Sequence, residues 1–574
     1  MRLRKYSKAR RGGGRYEYWA LVESYRTVRG PRERIVAYLG DLAADLRRGV
    51  QAAAQPPPQA QPLSLFEAPP PPQWVEVDVN GVRLERCRRF GGPWLGLQVL
   101  QQLGLPDFLA QVMPTGRETI PWALMAQVLV LCRLCAPSSE LHIAEHYYAD
   151  SALPDLLGIP VEAVQDDRLY RALDALLPHK EALERHLKDR LGTLFAIDYD
   201  LLLYDVTSTY FEGEAAGNDQ ARRGYSRDHR SDCKQVCIGL VVTRQGLPLA
   251  YEVFAGNRTD VTTLEPIVTH MEQRYGVAQR IWVLDRGMIS EDNLAFLQQA
   301  GRRYIVGTPK SLLRRFEPQL LEGPWEALRP GLEVQRCASP DGQETFILCR
   351  SQQRRDKEEA MHRRAEERLE AHLQQIEVSC QRRPHTVAQV ATRVGRVLGR
   401  ESRATGLFHI EVVADAAGVA SVRWTKKESW RQWAQLSEGC YVLRSNIADW
   451  TAPELWHAYV QLTEAEAAFR VHKSDLKLRP VWHQRTDRVE AHLLVCFLAY
   501  VLWKTLGQMC RRAGLGDEPR QVLEEIEGIR LVDVVLPTRQ GVEIRRRRLT
   551  TPTPHQRILL QRLAMALPAA LTAA

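Results

Sequence analysis

Apolar and polar residues follow two different periods along the 574 residues of this chain. Residues 15–42 alternate with a period of two on both sides of the turn Arg29-Gly30-Pro31, which predicts a β-hairpin or a small β-unit. From residue 93 to about residue 193, apolar residues recur every three or four positions, which predicts a block of helices. The first two hundred residues therefore combine a small β-unit with a helical region.

Between residues 201 and 306 the pattern is that of buried strands separated by helices. The run Leu201–Val206 is apolar except for Asp205, as expected for a strand that is buried on both faces. The other segments are strands at 235–243, 249–254, 281–285 and 304–306, and helices after residue 260 up to 275 and near 292–300. Three strands followed by alternating helices and strands predict an α/β protein with a ribonuclease-H-like core.

Residues 311–450 interrupt this order. They mix short strands with a helix over residues 352–378 that is dense in Arg, Glu and Lys. Such a helix is by default solvated or arm-like, and a DNA-contacting face is the alternative. After residue 450 the pattern is helical again, because Thr451-Ala-Pro-Glu454 forms a capping box with Pro in the first turn and a second helix is predicted over Arg488–Leu506.

The longest apolar run, Leu493 to Trp503, covers eleven residues. A helix that crosses a bilayer requires about 20, so we expect a core helix and no membrane partner. The basic N-terminus is not followed by an apolar stretch, which argues against a secretory signal. We therefore expect a cytoplasmic protein.

These patterns divide the chain into seven segments. They are residues 1–50, a basic β-hairpin unit; 51–75, a Pro-rich linker; 76–195, a helical domain that binds DNA or braces its neighbour; 196–310, the first part of the ribonuclease-H-like core; 311–450, a β-rich insertion with a charged helix; 451–512, the second part of the core; and 513–574, a C-terminal tail.

Charge is distributed unevenly along the chain. The total of 78 Lys+Arg against 69 Asp+Glu gives a net charge of +9, a modest excess that hints at an anionic partner. Residues 1–30 contain nine Lys and Arg, and Arg545–Arg548 is a second basic block. Such blocks suit phosphate contacts, although many are solvated faces. The eleven Cys lack a zinc-ligand spacing, so reduced and mostly buried thiols are expected.

Two acidic residues stand at the ends of apolar strands. Asp205 shares the face of Leu201 and Leu203, and Asp285 follows the run Ile281–Leu284. A carboxylate in such a position is unfavourable unless it is paired or bound to a metal. Each Asp alone is as well explained by a turn cap, but the repetition on two strands favours a functional site.

A third carboxylate is expected on a helix. Tyr459, Leu462, Glu466, Phe469, Arg470 and Lys473 fall at spacings of 3, 4, 3, 1 and 3, which places them on one helical stripe. Glu466 lies within this stripe, whereas Glu464 points elsewhere. Ordinary surface pairing of Glu466 with the following cations is the alternative. Three carboxylates suit two Mg²⁺ ions about 3.5–4 Å apart, with Mn²⁺ as a substitute, because both ions prefer oxygen ligands.

Several segments in order resemble the DDE transposases of bacterial insertion sequences, over roughly residues 16–510. They are Tyr204-Asp-Val-Thr-Ser-Thr-Tyr-Phe-Glu212, Ala255-Gly-Asn-Arg-Thr-Asp260, Val283-Leu-Asp-Arg-Gly287, Tyr459-x2-Leu462-x3-Glu466-x6-Lys473, Arg479-Pro-Val-x-His483 and Arg488-Val-x-Ala-His492. The fourth is similar to the signature Tyr-x2-Arg-x3-Glu-x6-Lys of one subset, from which Leu462 departs in the place of Arg. A contact with phosphate is therefore expected to be missing or supplied elsewhere.

The resemblance implies a catalytic and metal-binding triad of Asp205, Asp285 and Glu466. It implies a mostly β insertion between the second Asp and the Glu, and two-metal cleavage at transposon ends followed by joining to target DNA. Double-stranded DNA, as terminal inverted repeats and target, is the expected partner of a homodimer in the nucleoid. The candidate DNA-binding residues are Lys234, Tyr459, Arg470, Lys473, Arg479 and His483.

Two other functions remain open at this point. A catalytically inactive DNA-binding relative is faintly favoured by Leu462 and opposed by the three retained acids. A nuclease of the same fold that cuts without joining is the other alternative.

Overall fold

Alternation of apolar and polar residues near the N-terminus produces strands, as predicted. The computed structural model describes residues 2–9, 15–27, 30–40, 74–276, 280–339, 342–401, 404–415 and 418–568. Strands β2 (Arg15–Thr27) and β3 (Gly30–Gly40) form the predicted hairpin, and β1 (Arg2–Ala9) pairs antiparallel with β2. The predicted Pro-rich linker lies outside the described residues except for its last two positions.

The predicted helical block is also confirmed. It follows strand β4 (Arg83–Arg89). Its helices are α1 (Gly91–Gln102), α2 (Leu105–Val112), α3 (Trp122–Cys135), α4 (Glu140–Asp150), α5 (Leu153–Leu157), α6 (Asp166–Leu176) and α7 (Lys180–Phe195). The acids Asp166 and Asp167 occupy the first turn of α6, where they are favourable at the positive end of the helix dipole.

Residues 201–307 follow the predicted order of strand, strand, strand, helix, strand, helix, strand. The elements are β5 (Leu201–Tyr210), β6 (Gln235–Thr243), β7 (Pro248–Ala255), α8 (Leu264–Tyr275), β8 (Ile281–Leu284), α9 (Glu291–Gln299) and β9 (Arg303–Gly307). Strands β5, β6 and β7 are antiparallel, whereas β8 runs parallel to β5 and β9 runs parallel to β8. These strands form the centre and one edge of the sheet that we call the main sheet.

The segment from 311 to 450 differs from the prediction of a mostly β insertion. Its strands are β10 (Glu326–Arg329), β11 (Leu332–Ala338), β12 (Thr345–Ser351), β13 (Phe408–Ala414), β14 (Ala420–Lys426) and β15 (Cys440–Ser445). Its helices are α10 (Glu317–Glu322), α11 (Gln352–Arg382), α12 (Val387–Arg400) and α13 (Glu428–Ser437). The segment is therefore mixed, because the charged helix extends over 31 residues and a second, capped helix packs against it.

This segment is not separate from the main sheet. Within the described residues the main sheet has nine strands in the order β10-β11-β12-β15-β9-β8-β5-β6-β7. Strand β15 pairs antiparallel with β9 on one side and with β12 on the other. Four strands of the predicted insertion thus extend the same sheet that contains Asp205.

The prediction of one continuous helical stripe from Tyr459 to Lys473 was wrong. Helix α14 (Ala452–Val460) begins at the predicted Thr451 capping box, and the chain then turns before α15 (Thr463–Ser474). Tyr459 therefore belongs to α14, whereas Glu466 and Lys473 belong to α15. The predicted spacing assumed an uninterrupted helix, which the turn at Gln461 and Leu462 breaks.

Helix α16 (Thr486–Arg512) is the core helix predicted from the apolar run Leu493–Trp503. It is longer than that run and, by length and composition alone, is long and apolar enough to cross a membrane. However, 94% of its most apolar 18-residue window is buried inside the fold, where it packs against α3, α6 and β7.

Residues 513–568, in the predicted C-terminal tail, form two helices and two strands. They are α17 (Pro519–Glu527), β16 (Arg530–Pro537), β17 (Glu543–Leu549) and α18 (Pro554–Arg562). Strand β16 pairs antiparallel with β17 and with β4, and we call these three strands the terminal sheet. The terminal sheet joins residues that are more than four hundred positions apart.

Alternation of side chains along β5 gives the main sheet two different faces. Leu202 and Tyr204 pack in a cluster with Ile267 of α8 and Leu294 of α9. Leu201 and Leu203 belong to the larger core, which also contains the buried side chains of α15 and α16. Because Asp205 follows Leu203 by two residues, it lies on the face that is covered by α15.

Substitution of Leu498 by Ala is expected to lower the free energy of unfolding by about 2–5 kcal/mol, because it leaves a cavity beside α16. The Leu498 side chain is 1% exposed. The matched control is Leu321→Ala, since Leu321 is 65% exposed and its loss should cost less than about 0.5 kcal/mol. Urea denaturation of both variants tests this, and equal midpoints would contradict the burial of α16.

Candidate active site

The register of two parallel strands brings the two predicted Asp residues together. Strands β5 and β8 pair from Leu201 with Ile281 to Tyr204 with Leu284. The next positions are Asp205, which lies in the middle of β5 rather than at the predicted strand end, and Asp285, which directly follows β8. Because neighbouring strands lie about 4.7–4.9 Å apart, the two carboxylates are neighbours at the end of β8.

Glu466 approaches the same place from the helix above. Helix α15 packs on β5 and β6 through its buried side chains Ala465, Ala468 and Phe469. Glu466 is exposed at the edge of this contact. Its charge and the charge of Asp285 both act on Asp205 and raise the pKa of that carboxyl, so the structure brings all three predicted acids into one electrostatic cluster.

The Asp205 carboxyl is strongly perturbed. Burial, followed in effect by the charges of Asp285 and Glu466, raises its pKa to about 7. A hydrogen bond donated by the Val206 backbone N–H over 2.8 Å and the positive charge of Arg227 act in the opposite direction. The negative charges in this cluster are therefore only partly balanced by the protein.

Arg227 and Asp260 are further parts of the site, and neither was among the predicted site residues. The Arg227 guanidinium donates to both carboxylate oxygens of Asp260. A Cβ atom added to Gly287 would lie 3.4 Å from Asp260 Oδ2 and 3.9 Å from Asp285 Oδ2, so both acids border this glycine. Asp260 stands in one of the resembling motifs, but Arg227 lies in the loop before β6, where no periodicity marks it.

Tyr459 lies on the other side of Asp285. A Cβ atom at Gly307 of β9 would approach the Tyr459 hydroxyl oxygen to 2.3 Å, so the glycine leaves the space that the phenol occupies. Burial, together with the charge of Asp285, raises the pKa of Tyr459. The hydroxyl is therefore neutral and held close to the second Asp.

Lys473 and Arg479, predicted to contact DNA, both bind a carboxylate of the protein. Lys473 Nζ lies 2.8 Å from Asp228 Oδ1, and Arg479 also donates to that oxygen. The Asp228 side chain is 2% exposed, Lys473 is 11% exposed and Arg479 is 32% exposed. Burial lowers the pKa of Lys473 and the ion pair with Asp228 raises it, so this lysine is a largely internal group.

The remaining predicted contacts differ in their accessibility. Arg470 is exposed one turn after Glu466 and makes no ion pair with the described residues. Lys234 is 33% exposed and donates to the Glu214 carbonyl oxygen over 2.7 Å. Leu462, which stands in the place of the Arg of the signature, is 6% exposed and packs in the core.

His483 lies in a buried group with Glu140 and His492. Among the described residues, these three form the group of potential metal ligands whose donor atoms all lie within 4.8 Å of one another. The donor atoms of Asp205, Asp285 and Glu466 do not all lie within that distance of one another. His483 lies 3.5 Å from Glu140 Oε1 and keeps the pKa of Glu140 low, at about 2, against the effect of burial. The Arg133 guanidinium lies 3.5 Å from His492 Nδ1 and opposes a further cation there.

Comparison of the whole sequence and of the whole fold with known proteins does not assign this chain to a family. No curated protein matches the sequence. A cryo-EM structure of the piggyBac transposase synaptic complex with hairpin DNA is 9% identical, with 79% of this chain and 82% of that chain covered, at a TM-score of 0.35. A likeness at that TM-score supports no conclusion about this chain.

Family comparison is informative. Residues 197–502 match the family described as the transposase DDE domain, a range of more than half of the chain that includes Asp205, Asp285 and Glu466. Residues 3–56 match the family described as the IS1634 family transposase, N-terminal domain. The chain therefore belongs to the DDE transposases of insertion sequences, with an N-terminal region of the IS1634 family type.

Proposed function

We propose that Asp205, Asp285 and Glu466 are the catalytic residues of a ribonuclease-H-like core that cleaves the ends of an insertion sequence and joins them to target DNA. The observation that supports this most directly is the parallel register of β5 and β8. It aligns the two Asp residues beneath the helix that carries Glu466. Three carboxylates, one from the middle of β5, one directly after β8 and one from α15, suit phosphoryl transfer assisted by metal ions.

The donor set fits Mg²⁺, with Mn²⁺ as a substitute. All three side chains offer oxygen atoms, which these ions prefer. The pKa of Asp205 is raised first by burial and then by the charges of Asp285 and Glu466, and a bound cation would favour the ionised form of this carboxylate. When bound, two such ions would supply Lewis-acid activation of the attacking and leaving oxygens.

The surrounding residues have distinct roles in this proposal. Asp260 fixes the Arg227 guanidinium beside Asp205, where it limits the net negative charge of the site. Arg470 is exposed next to Glu466 and is free to reach a DNA phosphate. Lys234 and Arg479 are partly exposed and remain candidate DNA contacts. Lys473, Tyr459 and His483 are more enclosed, so we assign them the positioning of neighbouring groups.

Duplex DNA is the substrate in this proposal, both as terminal inverted repeats and as target. Two ends require two active sites, so we propose a homodimer assembled on DNA in the nucleoid of the cytoplasm. The signature Tyr-x2-Arg-x3-Glu-x6-Lys stays a hypothesis for this chain, since Leu462 packs in the core and cannot supply the contact of an Arg.

We predict that Asp205→Asn is more stable than wild type in EDTA. The difference in stability between the two proteins should increase as the pH rises from 5 to 8. The folded state holds the Asp205 proton up to a pKa of about 7, above the ordinary value of 3.8. The folded state therefore binds more protons, and stability falls as the pH rises through this window. Asparagine removes that loss, so the difference in Tm should grow by several degrees.

Thermal unfolding across this pH range tests the expectation, with Asp219→Asn at an exposed loop position as the control. Mg²⁺ should raise the Tm of wild type more than that of Asp205→Asn. A pH-independent difference between the two proteins would contradict the proposed charge cluster.

Glu466→Gln should abolish cleavage and joining of inverted-repeat DNA in Mg²⁺ while DNA binding persists. Loss of a metal ligand removes several kcal/mol of transition-state stabilisation, which corresponds to a decrease of at least about 100-fold in rate. Glu464→Gln is the control, because Glu464 lies two residues away and pairs with Lys504 over 3.1 Å.

Three outcomes of this assay are informative. Full activity of Glu466→Gln would show that the site is wrongly assigned. Binding without cleavage by wild type would indicate the inactive DNA-binding relative. Cleavage without a joined product would indicate a nuclease that lacks strand transfer.

A further inference from the structure

The terminal sheet brings two arginine-rich segments side by side. Strand β17 contains Arg545–Arg548, and β4, which lies across β16 from it, contains Arg83, Arg86, Arg88 and Arg89. In the antiparallel register, Asp533 of β16 faces Arg547 and Glu85, while Val534 faces Arg546 and Leu84. Since side chains alternate between the faces of a sheet, the four consecutive arginines of β17 divide into two pairs.

One face of the terminal sheet contains neutralised arginines. Arg547 pairs with Asp533 over 2.8 Å. Arg545 pairs with Glu85 over 3.3 Å. Arg83 pairs with Glu543 over 2.6 Å. Leu531 and Val535 are buried on this side, so it is the face that packs on the rest of the protein.

The opposite face has arginines without acidic partners. Arg546 and Arg548 are exposed, and neither makes an ion pair with any residue in the described ranges. The residues in the same registers are apolar: Leu84, Val532 and Val534. Leu84 is 72% exposed. We call the surface formed by these five residues the arginine face.

The charge of this face selects its partner. Arg546 and Arg548 are alternate residues of one strand, so their Cα atoms are separated by about 6.8 Å, a spacing comparable to that of neighbouring phosphates along one DNA strand. Guanidinium groups bind phosphate through two parallel hydrogen bonds. The apolar residues between them suit contact with deoxyribose. A second copy of the same face would repel this one, because each copy presents unpaired positive charge.

We propose that the arginine face binds the sugar–phosphate backbone of duplex DNA, as a surface separate from the carboxylate cluster. The inference deepens the proposed function, since it names a surface that would hold the DNA substrate. Contacts to phosphate carry no sequence information, so this surface positions DNA rather than selecting its sequence.

The test compares Arg546→Gln/Arg548→Gln with Arg545→Gln/Arg83→Gln in the full-length protein. Both double variants remove two positive charges from the terminal sheet. The second is the control, because Arg545 and Arg83 lie on the face opposite the arginine face. Their side chains are 65% and 49% exposed, and each forms an ion pair with an acidic residue. Binding to a fluorescein-labelled duplex of arbitrary sequence is measured by anisotropy as a function of salt. Thermal unfolding confirms that both variants are folded.

Arg546→Gln/Arg548→Gln should weaken binding and reduce the slope of log K against log salt by about 2, since each lost phosphate contact reduces it by about 1. The control pair should change the slope much less. Equal slopes for the two variants, or a variant that alters only self-association, would overturn the proposal.

Cleavage of inverted-repeat DNA at low salt separates this inference from the proposed function. Arg546→Gln/Arg548→Gln should still cleave once binding is saturated, because the carboxylate cluster is intact. If wild type binds DNA with the expected salt slope but does not cleave, the proposed function fails while the arginine face stands.

Discussion

Four consecutive residue pairs join β5 and β8 in parallel, and both strands place bulky side chains in the cores on either side of the main sheet. A shift of one residue would turn each of these side chains to the wrong face. The register is therefore fixed by packing that has no direct relation to chemistry. It also decides that Asp205 and Asp285 are adjacent, and the remainder of the candidate site is arranged around that adjacency.

Charged side chains near the carboxylate cluster form ion pairs with other residues of the protein. Arg227 forms an ion pair with Asp260 close to Asp205. The residue after Arg227 is the buried Asp228, which forms ion pairs with Lys473 and Arg479. The loop between β5 and β6 thus supplies one cation towards the carboxylates and one anion towards α15. Removing one member of a buried pair leaves an uncompensated charge, which is strongly unfavourable. This loop consequently couples the position of α15 to the main sheet.

The segment between the second Asp and the Glu has a structural role in this arrangement. Strand β15 enters the main sheet beside β9 and leads into α14, which carries Tyr459 over Gly307. The chain then turns at Leu462 into α15. The long helix α11 and its partner α12 form their own core with β13 and β14. The segment therefore both extends the main sheet and delivers the helices that approach the carboxylates.

Local patterns in the sequence determined the elements. The apolar runs at Leu201–Val206 and Ile281–Leu284 predicted strands, and the Thr451 capping box predicted a helix start, because these signals depend on neighbours within a few residues. The same local signals singled out both Asp residues, but they placed Asp205 at the end of a strand that continues to Tyr210. Only the tertiary structure decided which elements are neighbours. The pairing of β15 with β9, the pairing of β4 with β16, and the binding of Lys473 by Asp228 join residues far apart in the chain. No periodicity records such contacts, since they depend on the packing of the whole fold.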